Sequence, residues 1–319
     1  MKNKYFLFRF WAMLAVALCS CGLAFAQTHI SDRAGLENIK NGLSGSYVLD
    51  NDIDLSGSDW TPLGDFTGTL DGNGHVISNM TIDVIKNGTA FFTRITGNAV
   101  VANLGFENAS VTNKTESRTA VVAGFLEGNA RIENCYIANS TIKGRWCMGS
   151  FVGRARNITD GGTAAIRNCY SSATIFHTSE NNNGRGMTGG IIGNVYDGNK
   201  MVVENCYFSG IIQKVYRATE ANGEGNIAGI VGWIGKDDNQ TISGYTVQNN
   251  VNLAPYILSN HGKRRISSVR GYTDNVNDPI PGPNYSLSTT VLSTYDDWGS
   301  SEPIVLTNDP NYGVDKKEG

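Results

Sequence analysis

Three stretches decide the fold: Ile132-Glu133-Asn134-Cys135-Tyr136-Ile137, Ile166-Arg167-Asn168-Cys169-Tyr170-Ser171 and Val203-Glu204-Asn205-Cys206-Tyr207-Phe208. Two residues before each Asn stands a β-branched side chain and one before it a charged one, so the first points in and the second out, as along a strand. Strict alternation breaks at the Asn. Asn tolerates the left-handed backbone better than most residues, which makes it a sensible occupant of a bend. Each unit is too short to hide its own apolar face. Near-copies along one chain therefore imply successive turns of a parallel solenoid that bury a shared core.

Working outward, the pattern extends to Val101-Ala102-Asn103-Leu104-Gly105-Phe106 and Val247-Gln248-Asn249-Asn250-Val251-Asn252. Less complete copies are Val76-Ile77-Ser78-Asn79-Met80-Thr81-Ile82 and Asn284-Tyr285-Ser286-Leu287. Aligned on the Asn, the intervals are 24, 31, 34, 37, 44 and 35 residues. The surplus over a bare coil reads as loops, the largest at Gln213 to Asn226 and Lys236 to Gly244. An apolar, glycine-flanked segment precedes each unit, as in Gly149-Ser150-Phe151-Val152-Gly153 and Gly189-Gly190-Ile191-Ile192-Gly193. A β-branched segment follows it, as in Ser140-Thr141-Ile142. The expectation is an all-β solenoid of six to seven coils over residues 47–287, with three strands per coil. Ahead of it, in residues 27–46, Ser31-Asp32 offers helix-capping oxygens and Leu36, Ile39 and Leu43 follow at helical spacing, so a short helix caps the first coil. Residues 288–319 have only scattered apolar positions and read as an irregular segment, truncated or continuing into an unseen cap.

Residues 1–26 have the three parts of a secretory signal: Lys2, Lys4 and Arg9, the apolar run Phe10 to Leu18, and the small-residue site Ala24-Phe25-Ala26. Leu18-Cys19-Ser20-Cys21 also resembles a bacterial lipoprotein box, in which Cys21 becomes a lipid anchor. No later stretch approaches the roughly 20 apolar residues of a span. Of 26 basic residues, three leave with the signal, so 23 face 29 acidic ones and the mature charge is −6. That balance carries no electrostatic footprint for nucleic acid.

The glycine-flanked segments paired with Ile-x-Asn-Cys-Tyr resemble the bacterial GLUG-motif repeats. The opening run Asp52-Ile53-Asp54-Leu55, Trp60-Thr61-Pro62-Leu63-Gly64 and Phe66-Thr67-Gly68-Thr69-Leu70-Asp71-Gly72-Asn73-Gly74-His75 resembles the first coil of such proteins. The resemblance covers about residues 47–253 and implies a right-handed, pectate-lyase-like parallel β-helix on an exported bacterial protein at the cell surface, in the outer membrane or outside the cell. It also implies adhesin-like binding of a glycan or a host or matrix protein. It brings no catalytic residues. Some large immunoglobulin-cleaving metalloproteases carry such repeats as accessory domains, but the zinc motif His-Glu-x-x-His is absent here. A carbohydrate-active enzyme, hydrolase or lyase, on the same fold is the rival reading, as is an accessory repeat domain of a larger protein. No acidic pair recurs in neighbouring coils as an inverting hydrolase requires.

Three columns carry the candidate chemistry. Cys135, Cys169 and Cys206 occupy an inward column with Met80 and Leu104 and are expected to be free, buried thiols. Glu133, Arg167 and Glu204 alternate in sign on the outer face and are expected to pair. Tyr136, Tyr170 and Tyr207 form an outward stripe, read either as rings stacked on one another or as a flat platform for sugar rings or a partner. Asp50, Asp52, Asp54 and Asp59 suggest a calcium loop, but the required Gly and Glu positions hold Leu55 and Thr61. No metal or other cofactor is indicated. The histidines, His29, His75, His177 and His261, stand in unrelated settings.

Overall fold

The computed structural model describes residues 27–316 except 85–86, 115–117, 157–161, 180–185, 197–200, 217–225, 236–244, 260–265, 268–282, 288–289, 297–299 and 305–313. The signal segment with Cys21, His261, the loop 236–244 and most of the loop 213–226 lie outside the described residues.

One coil shows the design. Strands Arg131–Glu133, Tyr136–Ala138, Thr141–Gly144, Cys147–Met148 and Val152–Arg156 belong to five different sheets, here I to V in that order. The chain then returns to sheet I at Ala164–Arg167. Corresponding strands of successive coils pair in parallel, so Ile132, Ile166, Val203 and Val247 stand in one register column. The exception is Ser300–Ile304, antiparallel to Val291–Asp296. The fold is thus all-β, a parallel β-solenoid, with a main core from Ile30 to Ile257 and, among the described residues, a smaller separate cluster of Cys147, Met187 and Trp233.

The stack is longer than the repeat count. Among the described residues sheet I has eight strands and sheet II nine, because coils without an Asn-Cys-Tyr unit continue it at both ends. Thr28–Ile30 already pairs with Ser46–Leu49 in sheet I, and helix α1 (Arg33–Asn38), followed by a 3-10 turn Ile39–Asn41, is inserted between them. Asp32 caps α1 by accepting from the Gly35 N–H at 2.8 Å, and Leu36 and Ile39 are buried. After residue 287, expected to be irregular, Val291–Asp296 extends sheet III and Val314–Lys316 extends sheet II.

Five strands replace the expected three because two segments each span two sheets: the repeat unit bends at its Asn from sheet I to sheet II, and the glycine-flanked segment turns a corner from sheet IV to sheet V. In Gly189-Gly190-Ile191-Ile192-Gly193, the sheet IV strand Met187–Gly189 ends and the sheet V strand Ile192–Tyr196 begins. The last glycine has a steric reason. A Cβ on Gly193 would lie 2.4 Å from the Met148 nitrogen, one on Gly153 2.8 Å from the Thr119 nitrogen, and one on Gly232 2.6 Å from the Thr188 carbonyl carbon. Sheets IV and V therefore meet backbone to backbone, and only hydrogen fits between them.

Two register assignments change. Asn79 does not continue the Asn103 column: Val76, Ile77 and Ser78 pair with Gly105, Phe106 and Glu107. Asn79 thus matches Asn108, at a second bend between sheets II and III, and Met80 belongs to that bend instead of the cysteine column. At the other end Val251 pairs with Tyr285, so Asn284 aligns with Asn250 and not with Asn249.

Candidate functional site

The bend between sheets I and II holds the Asn of the repeat. Asn103, Asn134, Asn168, Asn205 and Asn249 all have φ between 52° and 55°, left-handed as a bend of this kind requires. Their amides form a ladder. Asn205 Nδ2 donates to Asn168 Oδ1 at 3.0 Å, Asn168 to Asn134 at 3.1 Å and Asn134 to Asn103 at 3.1 Å. Asn103 Nδ2 ends the run on the Asp71 carboxylate at 3.0 Å. The second bend begins in the same way, with Asn79 Nδ2 donating to Asp54 Oδ1 at 2.9 Å.

Directly after this ladder stands the inward column Cys135, Cys169, Cys206, Asn250 and Asn284. The three thiols are free and buried. They also satisfy backbone groups at the bend. Each Sγ donates to the carbonyl two residues back, at 3.2 Å to Glu133, 3.0 Å to Arg167 and 3.2 Å to Glu204. Each also lies 3.7 Å from a preceding-coil carbonyl, at Val101, Ile132 and Ile166. Asn250 and Asn284 take over the latter bond, to Val203 at 2.9 Å and Val247 at 2.8 Å. Asn250 Oδ1 accepts the Cys206 N–H at 3.0 Å, as Cys169 Sγ accepts that of Cys135 at 3.5 Å. Burial first, then the neighbouring thiols, pushes the Cys169 thiol well above its ordinary value.

On the outer face the expected ion-pair ladder forms. Arg167 Nε donates to Glu204 Oε1 at 2.5 Å, and Arg167 Nη1 lies 3.4 Å from Glu133 Oε1. Gln248 extends it to Glu204 Oε2 at 3.0 Å.

Beyond the bend, in sheet II, Tyr136, Tyr170 and Tyr207 lie in register. Their rings stack at 5.1 and 4.9 Å between centroids, with planes 6° and 2° apart. The lower end is fixed. Tyr136 packs over Gly105, where a Cβ would come within 2.5 Å of the ring, and its hydroxyl donates to Glu107 Oε1 at 2.7 Å. Burial, then that carboxylate, raises the Tyr136 phenol well above its ordinary value. At the upper end Tyr207 is 38% exposed, and Tyr256, in sheet III one coil further along, is 47% exposed.

The acidic residues of the first coils serve structure. Asp50 Oδ1 is 2.7 Å from His29 Nδ1. Asp52 accepts the Val76 N–H at 3.0 Å and lies 3.1 Å from His75 Nδ1. Asp54 accepts from Ser56 and Asn79. Among the described residues no three His, Cys, Asp or Glu side chains gather as a metal site, and no helix is long and apolar enough to cross a membrane.

Sequence reading missed a cluster where the outer face of sheet V meets sheet IV. The Phe125 ring, 3% exposed, is surrounded by the guanidinium groups of Arg156, Arg94 and Arg118 at 4.8, 5.2 and 5.4 Å. Glu127 accepts from Arg156 Nε at 2.7 Å and lies 3.2 Å from Arg94 Nε, while Arg94 Nη1 donates to Asp65 at 2.9 Å. In the next coil Arg154 covers Tyr196 at 4.7 Å and donates to Cys147 Sγ at 3.4 Å. Further along the same two sheets stand Asn194, Asn226 and Trp233, all buried. These residues come from segments far apart in sequence, and no repeat column announces them.

The chain is thus a parallel β-solenoid whose turns are locked by polar ladders at one corner. Its shape is similar to that of a Bacteroides ovatus protein described as a candidate immunoglobulin A1 protease, with a TM-score of 0.67 and 23% identity over 91% of this chain and 84% of that one. It is also similar to part of a protein described as an IgA1 protease, with a TM-score of 0.52 and 14% identity over 91% of this chain and 23% of that one. In sequence it is 30% identical to halomucin of Haloquadratum walsbyi in an alignment of 141 residues that covers 39% of this chain and 2% of halomucin. No protein-family model matches the chain.

Proposed function

We propose that the chain is an exported, non-catalytic binding solenoid, displayed at the cell surface or released, with an adhesin-like role toward a glycan or a host or matrix protein. The observation that carries this reading is the parallel, face-to-face Tyr136–Tyr170–Tyr207 stack, anchored at one end and 38% exposed at Tyr207. An aromatic face held by its neighbours loses little conformational freedom on binding, the condition under which flat apolar contacts with polar rims add affinity. The test is a glycan and matrix-protein array with the mature chain, Tyr207→Ala and the triple Tyr→Ala variant, with thermal unfolding as a folding control. Retained binding in both folded variants removes the stripe from the reading. Incubation with acidic polysaccharides, with and without calcium, addresses the enzymatic rival, for which new reducing or unsaturated ends are the decisive product.

A second reading is an accessory repeat domain of a larger surface protein or protease. It is favoured by the likeness to a segment that makes up 23% of the described IgA1 protease.

A further inference from the structure

We propose that the break in the tyrosine stack at Val251 is a binding subsite for one pyranose ring of a neutral saccharide. The inference rests on the binding reading above and narrows it to a ligand class and a place.

The register column that carries the stack is longer than the stack. It runs Tyr136, Tyr170, Tyr207, Val251 and Tyr285. All five belong to the outer face of sheet II, since the next residue of each strand, Ile137, Ser171, Phe208, Asn252 and Ser286, is buried. Four of the positions carry an aromatic ring, and the fourth in order carries a short branched side chain. Neighbouring strands lie about 4.8 Å apart, so Tyr207 and Tyr285 stand about 9.6 Å apart along the column, two strand spacings. One ring fits that interval. The tyrosines stack at 5.1 and 4.9 Å between centroids, and a six-membered ring over Val251 keeps the same spacing to Tyr207 on one side and to position 285 on the other. Exposure follows the break: Tyr136 and Tyr170, each followed by another ring, are half-buried, whereas Tyr207, followed by Val251, is 38% exposed.

The surroundings select a neutral sugar. A pyranose offers an apolar face for the tyrosine rings and a rim of hydroxyls. In the coil of Val251, Asn249 is exposed at the preceding bend and Tyr256, in sheet III, is 47% exposed. An amide and a phenol both donate and accept, as hydroxyls require; the hydrocarbon edge of an aromatic side chain from a protein partner gives them nothing to bond. The positions beside the column are uncharged. Asn205, Asn249 and Pro283 lie two residues before it, and Ser209, Leu253 and Leu287 two residues after. Glu204, one residue further back, is already bonded by Arg167 and Gln248.

The experiment titrates the mature chain with cellohexaose, mannohexaose, an oligogalacturonate and a tyrosine-bearing peptide, by calorimetry at low and high salt. The same titrations use Val251→Tyr, Tyr285→Ala and Tyr207→Ala, each checked by thermal unfolding. Val251→Tyr supplies the missing ring, so it should melt at or above the wild-type temperature while its saccharide affinity falls at least about tenfold, the loss of a whole ring contact. Tyr285→Ala removes one wall and should weaken binding about three- to tenfold; it keeps the test valid if Val251→Tyr does not fold. Binding of one or both neutral hexaoses, insensitive to salt, is the expected result. Binding of neither overturns the proposal, as does a tighter, salt-sensitive hold on the oligogalacturonate or equal affinity for the peptide. A hexaose affinity lowered by Tyr207→Ala but untouched in folded Val251→Tyr and Tyr285→Ala overturns the subsite and leaves the stripe standing. Hexaose binding untouched by all three folded variants overturns the subsite and the stripe together.

Discussion

Replacing Asn168 separates the two roles assigned to the repeat Asn, the left-handed bend and the amide ladder. Its φ is 52°, its Nδ2 donates to Asn134 and its Oδ1 accepts from Asn205. Asn168→Gly keeps the bend accessible and removes both side-chain bonds. At about 0.5–1.5 kcal/mol per bond, reduced because the side chain is exposed, and with about 0.5–1 kcal/mol for glycine's extra chain entropy, the expected loss is about 1–2 kcal/mol. Asn168→Ala loses the same bonds and adds the left-handed cost of a Cβ, about 1–2 kcal/mol, so it should be the less stable of the two. Asn168→Asp retains the acceptor for Asn205 but sets a carboxylate against the Asn134 oxygen. It should be destabilised at neutral pH by about 1–3 kcal/mol and recover as pH falls below about 4, where its carboxyl becomes a donor. Urea and thermal unfolding at pH 7 and pH 3.5, with the wild type at both, read all three. Coincident unfolding of the Gly and Ala variants would refute the bend argument. An Asp variant whose deficit ignores pH would refute the ladder.

Three further outcomes follow from the same corner and its neighbours. Cys169→Asn should unfold close to wild type, because Asn250 and Asn284 already serve that column, whereas Cys169→Val should cost about 1–3 kcal/mol by leaving the Cys135 N–H unpaired. Thermal melts of the two decide it, and a more stable Val variant would make the column purely apolar. Gly193→Val should fail to fold or lose more than about 3 kcal/mol, since its Cβ lies 2.4 Å from the Met148 nitrogen; soluble yield and melting temperature are the readout. The Arg167 hydrogen bond holds the Glu204 carboxyl below its ordinary value of 4.5. Its contribution is therefore present above pH 4.5 and lost as pH falls through the lower folded value. Glu204→Gln should flatten the acid limb of a stability profile in that window.

Where coils repeat, sequence and structure agree because burial enforces a period of two within each strand and identical bends enforce it between coils. Ile132, Ile166 and Val203 stack as their column requires, and the alternating Glu133, Arg167 and Glu204 pair. Errors arise where one residue type serves two places. Asn marks both the bend at Asn103 and the bend at Asn108, so Asn79 was assignable to either from its neighbours alone. Asn284 resembles the bend residue but does the work of Cys206 one position along. The number of strands per coil was hidden because the corner between sheets IV and V is as apolar as the strands it joins. The arginine cluster was invisible for a different reason: Arg94, Arg118, Arg154 and Arg156 come from three strands whose register becomes known only once sheets IV and V are distinguished.

The asparagine ladder gives the molecule a head and a tail at every length. Each amide offers a donor toward the N-terminal neighbour and an acceptor toward the C-terminal one, so an added or deleted coil leaves the joint chemically unchanged. Only the first rung is different in kind, since Asp71 can accept but not donate. Gene duplication within the middle of such an array requires no new joint, whereas a coil placed before Asp71 must bring its own terminus. Growth of these chains is therefore expected in the interior, with the founding coil left in place.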